Sequence, residues 1–69
     1  MEPIQEILAK NMRLARARAG VSQEALADAA DVDRTYVSGI ERGIRNPSIV
    51  VVAKFAQVLG TTTADLLGK

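Results

Sequence analysis

The chain has 69 residues, enough for one small domain, and nine lysines and arginines against eight aspartates and glutamates give it a formal net charge of +1. It contains no cysteine and no histidine, which excludes a disulfide framework, a thiolate metal site and most zinc chemistry. The longest apolar run, residues 49–53, is too short to span a bilayer, and residues 1–6 lack the pattern of a signal peptide. We therefore expect a cytoplasmic protein with no cofactor and no membrane partner.

Helical spacing and capping residues predict five helices. The first runs from about Pro3 to Ala19 and ends at Gly20, which suits a left-handed C-cap. Serine, aspartate or threonine stands at the start of each of the other four, which are predicted over residues 23–30, 34–42, 48–59 and 63–67. No segment alternates with a period of two between turn signals. The sequence therefore predicts an all-α fold, a compact five-helix bundle.

Apolar residues at helical spacing indicate which faces form the core. In the first helix they are Leu8, Met12, Ala15 and Ala19. In the fourth, Ile49, Val52, Ala56 and Leu59 keep a helical period, and the last three suffice for one buried face. The run Val50-Val51-Val52 favours a strand by propensity, but the helical period and the caps at both ends of the segment outweigh it. Val50, Val51 and Val58 then lie partly outside the buried face.

Residues 22–43 predict a helix-turn-helix, because two short helices are joined there by a tight turn. In such a unit the first helix crosses the DNA backbone and the second enters the major groove. The second helix should place Val37 and Ile40 inward and expose Arg34, Thr35 and Ser38 near its start. Charge supports this assignment, since residues 34–46 contain three arginines and one acid, whereas residues 23–33 contain four acids and no base.

Three segments resemble the Cro and phage-repressor type of helix-turn-helix regulators, the XRE family. They are GVSQEALA at residues 20–27, VDRTYVSGIERG at residues 32–43 and RNPS at residues 45–48. The resemblance extends from about Leu8 to Leu67, and the run DRTYVSGIER is most similar to the controller proteins of restriction-modification systems. It implies a transcriptional regulator that binds a double-stranded DNA operator.

The resemblance also implies roles for individual residues. Arg34 and Thr35 occupy base-reading positions, and Ser38, one turn further on, is a base or phosphate contact. The implied phosphate contacts are Gln23, Tyr36, Arg42, Arg45 and Asn46, and Gln23 is also implied to buttress the recognition helix. Arg16 and Glu41 match a structural ion pair between the first and third helices. Gly39 stands where some members have a long reading side chain, and we expect its missing side chain to allow close approach to the duplex.

The same residues have plainer explanations, and other functions occur on this fold. Arg34, Arg42 and Arg45 are also typical of solvated surface charges, and Tyr36 of a half-buried ring with a hydrated hydroxyl. Glu41 is not read as catalytic, because no second carboxylate, histidine or nucleophile is placed to work with it, so no enzymatic activity is expected. The alternatives are an antitoxin that binds DNA and a coactivator-like protein-interaction module that reads no bases.

A single recognition helix with about three reading side chains supplies too little specificity for a genome. Each base pair contributes about 1–3 kcal/mol, whereas specific binding needs roughly 4–10 kcal/mol over non-specific binding. We therefore expect a homodimer on an operator with inverted half-sites about one helical turn apart. The surplus apolar residues expected near its two-fold axis are Val50, Val51, Val58, Leu66 and Leu67. We see no room for an effector domain and expect no small-molecule effector.

Overall fold

The computed structural model describes residues 3–68, and within them the chain folds as five helices with no strand. The helices are α1 (Ile4–Ala19), α2 (Gln23–Ala30), α3 (Arg34–Glu41), α4 (Ile49–Leu59) and α5 (Thr63–Leu67). The predicted all-α fold class is confirmed, and every predicted boundary lies within one residue of the observed one. Among these helices, none is long and apolar enough to cross a membrane.

Side-chain hydrogen bonds set the starting points of four helices. A side-chain oxygen accepts a hydrogen bond from the backbone N–H two or three residues further on, with N···O distances of 2.8–3.2 Å, in Ser22, Asp33, Ser48 and Thr62. Each such cap is worth about 1 kcal/mol. Pro3 occupies the N-cap position of α1 and offers no side-chain hydrogen bond there. Because these signals are local in the chain, the helix boundaries could be predicted closely.

One hydrophobic cluster joins all five helices. Its largest fully buried side chains are Phe55, Met12, Leu26, Ile40, Leu66 and Val37. Burial of a side chain of this size contributes about 1.5–3 kcal/mol relative to an exposed position. Because α3 packs against both α1 and α2, its inner face is held in place and its outer face is presented to solvent.

Two expectations about burial are wrong. Ala19 is exposed at the C-terminal end of α1, where the chain already leaves the core. Ile49, which keeps the helical period of α4, is 74% exposed, because it lies in the first turn of α4 and borders an open groove. Leu66, expected at a dimer interface, is only 1% exposed, because α5 packs against α1 and α4 and turns this side chain into the core. Phe55, which the spacing analysis omitted, is fully buried.

The remaining residues expected at an interface differ in exposure. Val50 is 67% exposed. Val51, Val58 and Leu67 are half-buried and pack against the edge of the core. Only Val50 therefore presents most of its side chain to a partner.

Candidate nucleic-acid interface

The turn between α2 and α3 is fixed by backbone hydrogen bonds and by one aspartate in an uncommon conformation. The N–H groups of Asp31 and Val32 donate to the carbonyl oxygens of Asp28 and Ala27, at 3.3 and 2.9 Å. This pattern closes a helix with a left-handed residue, and Asp31 adopts that conformation with φ 58°, which aspartate tolerates better than most residues. Asp33 then caps α3. The two helices are therefore held at a defined angle.

The outer face of α3 carries the predicted base-reading residues. Arg34 and Thr35 are exposed and Ser38 is half-buried, whereas Val37 and Ile40 on the opposite face are fully buried. This division is the one that a recognition helix needs, because the buried face fixes its position while the polar face stays available. The structure thus brings Arg34, Thr35 and Ser38 together on one helix.

Thr35 also takes part in capping its own helix. Its hydroxyl donates to Asp33 Oδ1 at 2.6 Å, and its backbone N–H donates to the same oxygen at 2.8 Å. These two hydrogen bonds hold the pKa of Asp33 below its usual range. Because the hydroxyl proton is engaged, the groups that Thr35 offers to a ligand are its oxygen lone pairs and its methyl group.

A buried carboxylate ties α3 to the two preceding helices. Glu41 is 4% exposed. It accepts hydrogen bonds from Arg16 Nε at 2.6 Å and Arg16 Nη2 at 2.8 Å, and from Gln23 Nε2 at 3.1 Å. Burial raises the pKa of Glu41, but the hydrogen bonds from Arg16 and Gln23 and the nearby positive charges outweigh it, so the pKa lies below its ordinary value. The carboxylate is therefore charged and well satisfied, and Arg16 and Glu41 form the ion pair that the resemblance implied.

Gln23 makes a side-chain contact with the recognition helix, as the resemblance implied. It is the first residue of α2 and half-buried, and one of its amide protons is donated to Glu41. The second amide proton remains for a ligand such as a phosphate oxygen. Gln23 thus connects the start of α2 with the ion pair behind α3, and its implied phosphate contact stays a prediction.

Arg13 is a further residue that sequence reasoning missed. Its Nη1 donates to the backbone carbonyl of Glu41 near the C-terminal end of α3. An arginine is favourable there, because the carbonyl groups at a helix C-terminus lack partners within the helix. The available signal was its spacing of three from Arg16, which places both arginines on the face of α1 that meets α3.

The other predicted phosphate contacts lie on α3 and on the chain that follows it. Arg42, Arg45 and Asn46 are exposed, and Tyr36 is half-buried against the edge of the core. The expected open space beside Gly39 is absent. Gly39 is buried, and a Cβ atom there would overlap Cγ of Arg45, because the stem of that side chain lies across the glycine.

Two short helices with a fixed turn, a buried inner face and a polar outer face define a helix-turn-helix protein. The chain belongs to the helix-turn-helix family HTH_3, of the XRE type, which matches residues 12–66. The predicted family is therefore confirmed, and its members compared here are transcription regulators and control proteins, not enzymes.

Similar proteins include regulators from several bacteria. A hypothetical transcription factor of Neisseria meningitidis is 42% identical over 66 residues, which are 96% of this chain and 62% of that protein. Control protein C.BamHI of Bacillus amyloliquefaciens is 46% identical over 50 residues, which are 72% of this chain and again 62% of the relative. The chain thus matches less than two thirds of the length of either relative.

Solved structures agree with this assignment. The crystal structure of a hypothetical transcription factor from Neisseria has a TM-score of 0.91 and 42% identity, with 96% of this chain and 76% of that chain covered. The restriction-modification controller protein C.AhdI from Aeromonas hydrophila has a TM-score of 0.85 and 39% identity, with 90% of this chain and 94% of that chain covered.

Proposed function

We propose that this chain is a transcriptional regulator that binds a duplex operator with inverted half-sites as a homodimer, with α3 in the major groove. The observation that carries the proposal is the outer face of α3. It presents Arg34, Thr35 and Ser38 from a helix whose inner face is buried and whose C-terminal end is tied to α1 through Glu41. A major groove about 12 Å wide admits one such helix.

The proposed contacts are of two kinds, those to base edges and those to the phosphates of the DNA backbone. Arg34, Thr35 and Ser38 meet base edges, and the exposed guanidinium of Arg34 is suited to a bidentate pair with guanine. Phosphate contacts are assigned to Gln23, Tyr36, Arg42, Arg45 and Asn46. Arginine and lysine contacts to phosphates supply affinity that is independent of sequence and sensitive to salt.

The similarity to C.BamHI and C.AhdI supports a regulator of the controller type, because those two proteins are named as a control protein and a restriction-modification controller protein. The aligned segments must include α2 and α3, because they cover 72% and 90% of this chain. We therefore propose a regulator of the controller type, which acts on its operator without a small-molecule effector.

The proposed dimer interface is an apolar groove near the start of α4. The groove has a volume of about 460 Å³, and its apolar lining residues are Ile4, Leu8, Pro47, Ile49, Val52 and Leu67. Ile49 and Val50 beside it are 74% and 67% exposed, and Ile4 is 52% exposed. We assign the groove to a second copy of this chain, since a two-fold contact can place an exposed apolar side chain of each copy in the groove of the other.

The test is selection of duplexes from a random library, followed by binding measurements on the selected site. We expect an inverted repeat. Arg34→Ala should cost about 1–3 kcal/mol and relax the preference at one position of each half-site. Arg45→Ala should weaken all sequences alike and reduce the magnitude of the salt slope by about 0.9.

Two outcomes contradict the proposal. An unchanged consensus for Arg34→Ala would show that α3 does not read bases. Failure of the wild-type chain to enrich any duplex, together with salt-independent binding to a protein, would favour the protein-interaction module instead.

A further inference from the structure

We propose that Gly39 is a positioning residue: its missing side chain forms the seat that holds Arg45 against the recognition helix. This inference rests on the proposed function, because the seat matters to DNA binding only if Arg45 contacts DNA. In the free protein, Arg45 is already held in one orientation before DNA binds.

The position of Gly39 on α3 is unusual for a buried residue. Helical spacing places it four residues after Thr35, on the outer face that carries the polar side chains. It is nevertheless buried, because the side chain of Arg45 covers it. A Cβ atom on residue 39 would overlap the Cγ of Arg45, and the Cβ and Cδ of Arg45 would each lie 3.5 Å from that Cβ.

The backbone brings Arg45 to this place. The carbonyl oxygen of Gly39 accepts the N–H of Ile44 at 3.0 Å, and the carbonyl oxygen of Ile40 accepts the N–H of Gly43 at 3.0 Å. Gly43 has φ +78°. The chain therefore reverses there, with the hydrogen-bond pattern typical of an α-helix that is terminated by a residue in the left-handed conformation. The carbonyl group of Gly39 therefore fixes the loop through Ile44, and the side chain of Arg45 packs against the Cα of Gly39.

A methyl group at position 39 would displace Arg45. The overlapping atom is Cγ, which is two bonds from Cα, so rotation of the side chain relieves the overlap only if Arg45 changes its χ1 rotamer. That change swings the whole guanidinium group away from α3. Glycine in a helix interior is less favourable than alanine, so Gly39→Ala should leave the fold intact while it disturbs Arg45.

A double-mutant cycle tests the seat on the selected duplex. Gly39→Ala should weaken binding about as much as Arg45→Ala does, by about tenfold, the change that a loss of about 1.4 kcal/mol produces. In the Arg45→Ala background, Gly39→Ala should have no further effect, because the side chain that it displaces is gone. Arg42 provides the matched control. The fold-losses of binding from Arg42→Ala and from Gly39→Ala should multiply in the double variant, since none of the three heavy atoms nearest to a Cβ at residue 39 belongs to Arg42.

The packing of Arg45 against Gly39 can also be tested in the free protein, without DNA. In the free protein, the Hα protons of Gly39 should show a nuclear Overhauser effect to the Hγ protons of Arg45, and Gly39→Ala should lower the order parameter of Arg45 Nε while the melting temperature does not fall. Absence of that effect in the wild type overturns the inference. An equal loss of binding from Gly39→Ala with and without Arg45 would show that the added methyl group meets the duplex itself, and would also overturn it. Failure of the wild type to bind any duplex would contradict the proposed function. The measurement on the free protein would then decide whether Gly39 positions Arg45.

Discussion

Glu41 shows how one residue connects the sequence, the fold and the binding face. A buried charge costs several kcal/mol unless it is paired and hydrogen-bonded, and three side-chain donor atoms on α1 and α2 meet this carboxylate. No buried side-chain nitrogen or oxygen within residues 3–68 lacks a partner. The ion pair therefore holds α3 against α1 more than it adds to the net free energy of folding.

Removal of Arg16 should destabilise the protein strongly, since it leaves the Glu41 carboxylate buried with Gln23 as its remaining side-chain partner. We expect Arg16→Ala to cost about 3 kcal/mol, and each kcal/mol lowers the melting temperature of a domain this small by about 4–8 °C. Arg18→Ala is the matched control, because Arg18 is an exposed arginine on the same helix. Thermal unfolding followed by circular dichroism measures both. Equal melting temperatures for the two variants would contradict the structural role of the pair.

At the scale of elements, α5 depends on its neighbours because a helix of five residues is far below the length that is stable alone. Leu66 anchors its inner face in the core. Its C-terminal end is held by Asn11 of α1, whose Nδ2 lies 3.2, 2.9 and 2.7 Å from the carbonyl oxygens of Asp65, Leu66 and Gly68. Since Nδ2 has only two protons, the two shorter contacts are the main ones.

Loss of this cap should loosen α5 without unfolding the rest. We expect Asn11→Ala to cost about 1–2 kcal/mol and to speed amide hydrogen exchange in α5 more than in α2 or α3. Asn11→Asp keeps the size of the side chain but replaces the donor with an acceptor, so it should be at least as destabilising. Lys10→Ala, at an exposed neighbouring position, is the control. Uniform acceleration of exchange across all helices would show that Asn11 stabilises the whole fold rather than α5.

Elements that depend on local signals could be predicted, and those that depend on distant contacts could not. The caps Ser22 and Asp33 and the charge of residues 34–46 lie within one stretch of chain, so the helix-turn-helix and its polar face followed directly. Leu66 lies in the core and not at an interface, because its environment depends on how α5 packs against α1 and α4. Arg45 reaches Gly39 only after the chain reverses at Gly43, and periodicity along one helix does not contain that information.

At the scale of the whole molecule, the surface available for a dimer is small. The accessible surface is 4274 Å², so an interface of standard size, about 800 Å² on each partner, would cover about a fifth of it. The helix-turn-helix face must remain free for DNA. We therefore expect an interface confined to the groove beside Ile49 and Val50 to be smaller than standard. The dimer should then dissociate at low concentration and bind its operator cooperatively.

A charge introduced at Ile49 should separate dimerisation from folding. Ile49 is 74% exposed, so Ile49→Asp removes little from the core, and an aspartate in the first turn of α4 is favourable to the helix dipole. We expect this variant to keep its melting temperature, to sediment as a monomer at concentrations where the wild type self-associates, and to lose operator binding at low protein concentration. Leu14→Asp is the control, because Leu14 is another exposed apolar residue, 45% accessible, that does not line the groove. If both variants behaved alike, the interface would lie elsewhere. A wild-type chain that stays monomeric at high concentration and binds one chain to each operator would refute the dimer, because a single α3 would then have to supply all the specificity by itself.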